Sequence, residues 1–255
     1  MRRKFVAGNW KMNTLAGSAT ALAKGLAEGV LTTESVDVAV FPPLPYLAAV
    51  SAAVAGSGVR VGAQNVYHEK PGAFTGEVSV EMLVDVGCQW VLVGHSERRH
   101  LVGECNSLVN RKLIQACERG LTVILCVGET LLERQSHQTE MVLNSQMAGS
   151  LLGVDAALMP KIVIAYEPVW AIGTGVNATP DQAESALHHL RTWLAGRYNR
   201  MVSESTRILY GGSVKANNAK ELLSLSNVDG VLVGGASLEV EGFSKIIQAA
   251  RDVSR

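Results

Sequence analysis

The residues best equipped for chemistry in this sequence share one kind of place, since each follows a short apolar run. Asn9-Trp10-Lys11 follows the first run, Gln64-Asn65 the third, His95-Ser96-Glu97 the fourth, Gly128-Glu129 the fifth and Glu167-Pro168 the sixth. Gly211-Gly212-Ser213 ends the seventh and Gly234-Gly235 the eighth. Together they offer an amine, an imidazole, carboxylates and two glycine pairs. A carboxylate base such as Glu167 and a second proton-handling group such as His95 are what proton abstraction next to a carbonyl requires. Glycine pairs let a main chain come close to an anion, and N–H groups at the start of a short helix hold phosphate. Taken singly, none of these signals is specific: a lone lysine is usually solvated, a lone histidine usually structural, a lone Gly-Gly usually a turn.

Two longer loops add to the set. Pro168-Val169-Trp170-Ala171-Ile172-Gly173-Thr174-Gly175-Val176-Asn177-Ala178 is mostly uncharged and leads into Thr179-Pro180-Asp181, a helix start. An apolar segment there reads as a lid that closes over substrate and expels water, or as an ordinary packed loop. The stretch Tyr67 to Glu77 contains Phe74-Thr75, and an exposed Phe in a long loop suggests insertion into a partner.

The elements that must position these groups repeat with a regular beat. Apolar or β-branched runs begin near Lys4, Val36, Val59, Trp90, Thr122, Lys161, Arg207 and Gly230. The mean spacing of about 32 residues is that of a βα unit. Amphipathic stretches lie between them, at Ser107 to Arg119, Leu131 to Leu152 and Asp181 to Asn199. Runs such as Val36 to Phe41 and Lys161 to Tyr166 are nearly continuously apolar, as parallel strands covered on both faces must be. Eight such units fit a closed (β/α)8 barrel, for which about 250 residues is typical. A doubly wound open sheet has the same rhythm. In either fold chemistry belongs to the loops at the C-terminal strand ends, so all the groups above fall on one rim.

Composition sets the remaining bounds. With 23 basic and 23 acidic residues and 47% hydrophobic content in 255 residues, the chain is too apolar to be disordered and has no field to attract nucleic acid or an anionic membrane. An uncharged stretch of 22 residues, Val38 to Val59, is broken by Pro42, Pro43 and Pro45, so strand, turn and short helix is expected there in place of a membrane span. Met1-Arg2-Arg3-Lys4 leads into too short an apolar run for a signal peptide, and a cytoplasmic location is expected. Cys88, Cys105, Cys117 and Cys126 form no Cys-x-x-Cys pair and are expected as free thiols.

Six ordered motifs resemble the triosephosphate isomerase family over essentially the whole chain. They are Gly8 to Asn13, Gly94 to Arg99, Cys126 to Thr130, Ala165 to Gly175, Tyr210 to Ser213 and Val233 to Leu238. The resemblance implies an α/β chain whose residues 1–255 form one closed (β/α)8 TIM barrel. It also implies interconversion of dihydroxyacetone phosphate and D-glyceraldehyde 3-phosphate through an enediolate, without metal or organic cofactor. In this family a carboxylate base works with a neutral imidazole whose pKa a helix N-terminus lowers. Glu167 would move the proton and His95 would polarise the carbonyl. Lys11 would place positive charge at the substrate, with Asn9 donating a hydrogen bond. N–H groups of Gly173, Ser213, Gly234 and Gly235 would hold the phosphate. Glu97 and Ser96 would support Lys11 and His95, while Arg98 with Glu104 looks structural. The Phe74-Thr75 loop would reach into a second copy, giving a homodimer.

Two departures from the family pattern stand out. Val176-Asn177-Ala178 replaces the common Lys-Thr-Ala at the end of the lid, which is expected to alter its opening. Val102 replaces a frequent aromatic, which is expected to loosen packing beneath the fourth loop. Two other functions fit the residues: a Schiff-base barrel acting through Lys11, because Lys161 begins its strand at the wrong end, and a sugar-phosphate binder without turnover.

Overall fold

The computed structural model describes residues 2–29, 35–172 and 178–254. Eight strands run through them: β1 (Lys4–Asn9), β2 (Val36–Phe41), β3 (Val59–Ala63), β4 (Trp90–Val93), β5 (Thr122–Val127), β6 (Ile162–Tyr166), β7 (Ile208–Tyr210) and β8 (Gly230–Val233). Each pairs in parallel with the next, and β1 pairs with β8 through Phe5 against Gly230, so the sheet closes on itself. The open-sheet alternative is thereby excluded.

The helices between and after the strands are α1 (Ala16–Gly29), α2 (Leu47–Val54), α3 (Val80–Asp85), α4 (Ser96–Leu101), α5 (Asn106–Glu118), α6 (Leu131–Gln135), α7 (Thr139–Ser150), α8 (Pro180–Arg197), α9 (Arg200–Ser205), α10 (Ala219–Leu223) and α11 (Val240–Asp252). The segment read as one helix from Leu131 to Leu152 is two. A Thr130–Glu133 capping box starts α6, and His137 at φ 56° turns the chain into the left-handed region before α7. No glycine or proline marks that break, so the pattern hid it. The uncharged stretch from Val38 resolves into β2, a short 3₁₀ turn at Leu44–Tyr46 and α2. Among the described residues no helix is long and apolar enough to cross a membrane.

Alternation along each strand divides the core in two. Phe5, Ala7, Ala39, Phe41, Trp90, Leu92, Ile124, Cys126, Val163, Ala165, Leu209 and Leu232 fill the barrel interior. Their strand neighbours, such as Val6, Val38, Val91, Ile164 and Val231, join the helices in the outer core. Burying large side chains of this kind contributes about 1.5–3 kcal/mol each. The four cysteines carry free thiols, of which only Cys105 is exposed.

Candidate active site

The same alternation continues past the strand ends and selects what fills the mouth. Phe5 and Ala7 face inward, and Asn9 follows them two residues on; Val163 and Ala165 are followed in the same way by Glu167, Leu209 by Gly211 and Leu232 by Gly234. His95 arrives differently. Gly94 at φ 67° turns the chain out of β4, and His95 becomes the N-cap of α4. A cavity of about 500 Å³ opens there, lined by Asn9, Lys11, His95, Glu167, Gly211, Ser213, Gly234 and Gly235 among others.

Glu167 is 1% exposed, and both of its carboxylate oxygens are bonded. Oε1 lies 2.9 Å from His95 Nε2, and Oε2 accepts the Ser96 amide at 2.8 Å. The room for this residue comes from glycines just past the ends of the two flanking strands. A Cβ on Gly211 would stand 3.0 Å from Glu167 Cγ, and one on Gly128 would overlap the Glu167 backbone. Gly212 leaves space for the Tyr210 hydroxyl. The first glycine pair was expected to serve phosphate; these contacts give it a steric task in addition.

His95 Nδ1 accepts the Glu97 amide at 3.3 Å, which leaves Nε2 as the nitrogen that carries the proton in the neutral ring. Burial disfavours the His95 cation, but Glu167 against Nε2, with Glu97 behind it, outweighs burial and holds the pKa above its ordinary value. Burial likewise opposes the charged form of Glu167, yet His95 and the Ser96 amide hold its pKa below the usual carboxylate range. The expectation of a lowered imidazole pKa is therefore not met while the carboxylate sits on the ring. The Glu167 and Glu97 carboxylates raise the pKa against burial and the Lys11 charge.

Lys11 occupies the left-handed region at φ 52°, a conformation that costs a non-glycine residue about 1–3 kcal/mol and needs outside support. Its amide donates to Asn9 Oδ1 at 3.0 Å, and its carbonyl accepts Gln64 Nε2 at 2.8 Å. Gln64 also donates to Phe41 O at 2.8 Å, tying the turn to β2. The amine reaches Glu97 Oε1 at 2.6 Å. Sequence reading placed Gln64 on this rim without a task; its role shows only once β1, β2 and β3 are adjacent.

The lid expectation falls partly outside what the structure describes. Gly173, Thr174, Gly175, Val176 and Asn177 lie outside the described residues, so the departure at Val176-Asn177 does too. Pro168, Ala171 and Ala178 are buried, Val169, Trp170 and Ile172 half-buried. Trp170 Nε1 and Tyr166 Oη both donate to Glu129 Oε1 at 3.0 Å, and Arg134 donates to the same oxygen at 3.1 Å while stacking 4.8 Å over the indole. Glu129 thus collects the root of the lid, a role its place beside Gly128 did not reveal.

Phe74 is 39% exposed, with its ring 4.9 Å from Tyr67. Val102, expected to loosen packing beneath the fourth loop, stands 63% exposed at the end of α4. Lys161 donates to Cys117 O at 2.8 Å, far from the mouth. Among the described residues no group of three His, Cys, Asp or Glu side chains could hold a metal ion.

Comparison with known proteins agrees over nearly the whole length. A family model described as triosephosphate isomerase matches residues 4–250. A triosephosphate isomerase of Rhodopirellula baltica is 52% identical over 249 residues, 98% of each chain. Those of Magnetococcus marinus and Carboxydothermus hydrogenoformans are 51% and 47% identical over 250 residues, covering 97% and 98% of this chain and 98% and 100% of theirs.

Proposed function

The chain belongs to the triosephosphate isomerase family, a family of isomerases, and from that premise we propose that it interconverts dihydroxyacetone phosphate and D-glyceraldehyde 3-phosphate by a single-base proton transfer. The observation that supports this reading is Glu167 against His95 in the mouth, with Lys11 lining the same cavity. Glu167 leaves His95 Nε2 and the Ser96 amide, takes a proton from the carbon bearing the hydroxyl, and returns it to the neighbouring carbon. His95 donates Nε2–H to the carbonyl oxygen, and protons pass between the two oxygens of the enediolate. Once Glu167 has left, burial and the Glu97 amide on Nδ1 favour the neutral ring, which is the form a donor of this kind needs. Lys11 offsets the negative charge that develops on the oxygens, beside Asn9. Amides of Gly173, Ser213, Gly234 and Gly235 hold the phosphate, and the segment 168–178 closes over it to exclude water, since an open enediolate would lose its phosphate.

A second copy completes the mouth on this reading. Met12, Leu101 and Val102 are 96%, 82% and 63% exposed beside Lys11 and Glu97, around a smaller cavity of about 180 Å³. The Phe74-Thr75 loop of a partner fits that description as an insert, with two-fold contacts. The reaction would belong to cytoplasmic glycolysis and gluconeogenesis and would use no metal or organic cofactor. Incubation with dihydroxyacetone phosphate in deuterated water tests the chemistry: product and recovered substrate carry carbon-bound deuterium. A protein that binds the substrate without exchange is a binder and not an isomerase. Borohydride in the presence of substrate leaves the mass of the chain unchanged; a trapped adduct on Lys11 would mean Schiff-base chemistry.

A further inference from the structure

The family motifs leave unassigned one charged residue of the phosphate end. Lys215 lines the main cavity two residues past Ser213, and Glu239 lines it too, four residues past Gly235. The other charges of that cavity already have partners: Lys11 with Glu97 and Glu167 with His95. Lys215 and Glu239 are exposed, and among the described residues neither forms an ion pair. The loop that carries Lys215 is fixed. Asn218 Oδ1 accepts the Lys215 amide at 2.8 Å, and Asn218 Nδ2 donates to Ser213 O at 3.1 Å. Ser213 and Lys215 are thus held on one turn by a single side chain.

A phosphate ester entering this cavity carries close to two negative charges, and it meets an uncompensated cation and an uncompensated anion. The chain has 23 residues of each sign, so no global field decides the outcome. Local charges at the entrance then set both encounter rate and affinity. We propose that Lys215 is a specificity-determining residue that recognises the phosphate dianion through the cavity mouth, with Glu239 opposing it. The assignment rests on the reading that the phosphate lies between the ends of β7 and β8. It adds a second side-chain cation to a site of main-chain donors beside Lys11, whose Cε would stand 3.4 Å from a Cβ on Gly234.

The test compares Lys215→Met, Lys215→Arg and Glu239→Gln with the unaltered protein. Lys215→Met should lower kcat/KM for glyceraldehyde 3-phosphate about 3–10-fold at low ionic strength, through KM, with kcat unchanged. The deficit should shrink at high salt, Lys215→Arg should restore most of it, and inorganic phosphate should inhibit Lys215→Met more weakly. Glu239→Gln should move KM the other way. Exchange of carbon-bound hydrogen in D-glyceraldehyde, which has no phosphate, should be equal in all four proteins. An unchanged KM in Lys215→Met, a loss confined to kcat, a salt-independent loss, or an equal loss with D-glyceraldehyde overturns the proposal. Failure of the isomerase reading is a separate result, because the unaltered protein itself would then not turn over.

Discussion

Both rims of the barrel bury charge, and they treat it differently. At the lower rim, where the strands begin, Asp229 accepts Arg2 and Arg191, each at 2.6 Å, and the Ile208 amide at 2.8 Å. Arg207 bonds Asp37 at 2.6 Å and lies over the rings of Phe5 and Trp90 at 5.1 and 5.5 Å. These partners come from segments far apart in the chain, and several meet on one carboxylate. At the upper rim Glu129 is held in the same redundant way, by Tyr166, Trp170 and Arg134, but in the mouth itself Glu167 has one imidazole and one amide, and Lys11 has a single carboxylate that is itself 42% exposed. A buried charge with redundant partners resists any change; one with few, replaceable partners can exchange them for substrate. The first arrangement serves folding and the second serves reaction.

Substitutions should separate the two. Glu167→Gln keeps the volume and hydrogen-bonding ability of the side chain but removes the base, so kcat should fall by about 10²–10⁴ while the melting temperature stays near that of the unaltered protein. Asp229→Ala should do the reverse. It takes the shared carboxylate from two half-buried guanidinium groups and the Ile208 amide, which costs about 1.5–3 kcal/mol of folding stability, while kcat per folded molecule is preserved. Urea titration and steady-state kinetics on the same preparations decide the matter. A large loss of stability in Glu167→Gln, or of kcat in Asp229→Ala, would break the division.

The two rims were also unequally legible. The upper one could be read from sequence because Asn9, His95 and Glu167 each follow an apolar run, and strand alternation carries inward residues into the mouth. Closure could not be read, since rhythm is the same in an open sheet; it appears only in the pairing of Phe5 with Gly230. The tasks of Gln64, Glu129 and Asn218 escaped because their work is to hold other loops, and that depends on which loops become neighbours. The lower network escaped altogether: Arg2 and Asp229 are 227 positions apart, and no local pattern links them. The break between α6 and α7 rests on a left-handed histidine, where no glycine signalled it.

Space at the upper rim can be altered without touching charge. Gly211→Ala would place a Cβ 3.0 Å from Glu167 Cγ and 3.2 Å from Tyr166 O, so the carboxylate must shift by a few tenths of an ångström. Positioning errors of that size should lower kcat on the order of 10-fold, with KM less affected. Gly196→Ala, in α8 and outside the cavity, is the matched control, because a Cβ there meets nothing within 4 Å. Equal kinetics for the two alanine variants would mean that Gly211 does not set the position of the base.

The smallest effect concerns pH, and its sign follows from the coupled pair at the upper rim. Glu167 has a depressed pKa, so the stability it adds is present above the ordinary carboxylate value of 4.5 and is lost as pH falls through its folded value. His95 has a raised pKa, so its contribution is complete below 6.5 and is lost as pH rises through its folded value. The pair therefore stabilises the fold most between about pH 4.5 and 6.5 and less on either side. Melting temperatures of the unaltered protein and of His95→Gln, measured from pH 4 to 8.5, should differ most inside that window and converge above it as the imidazole loses its proton. Because kinetics need the neutral ring, activity should rise over the pH range in which this part of the stability is being lost. A His95→Gln profile that runs parallel to the unaltered one throughout would show that the imidazole never carries charge beside Glu167. The two buried groups would then be joined by a hydrogen bond from a neutral imidazole to the carboxylate, and the upper rim would hold one charge fewer than the contact suggests.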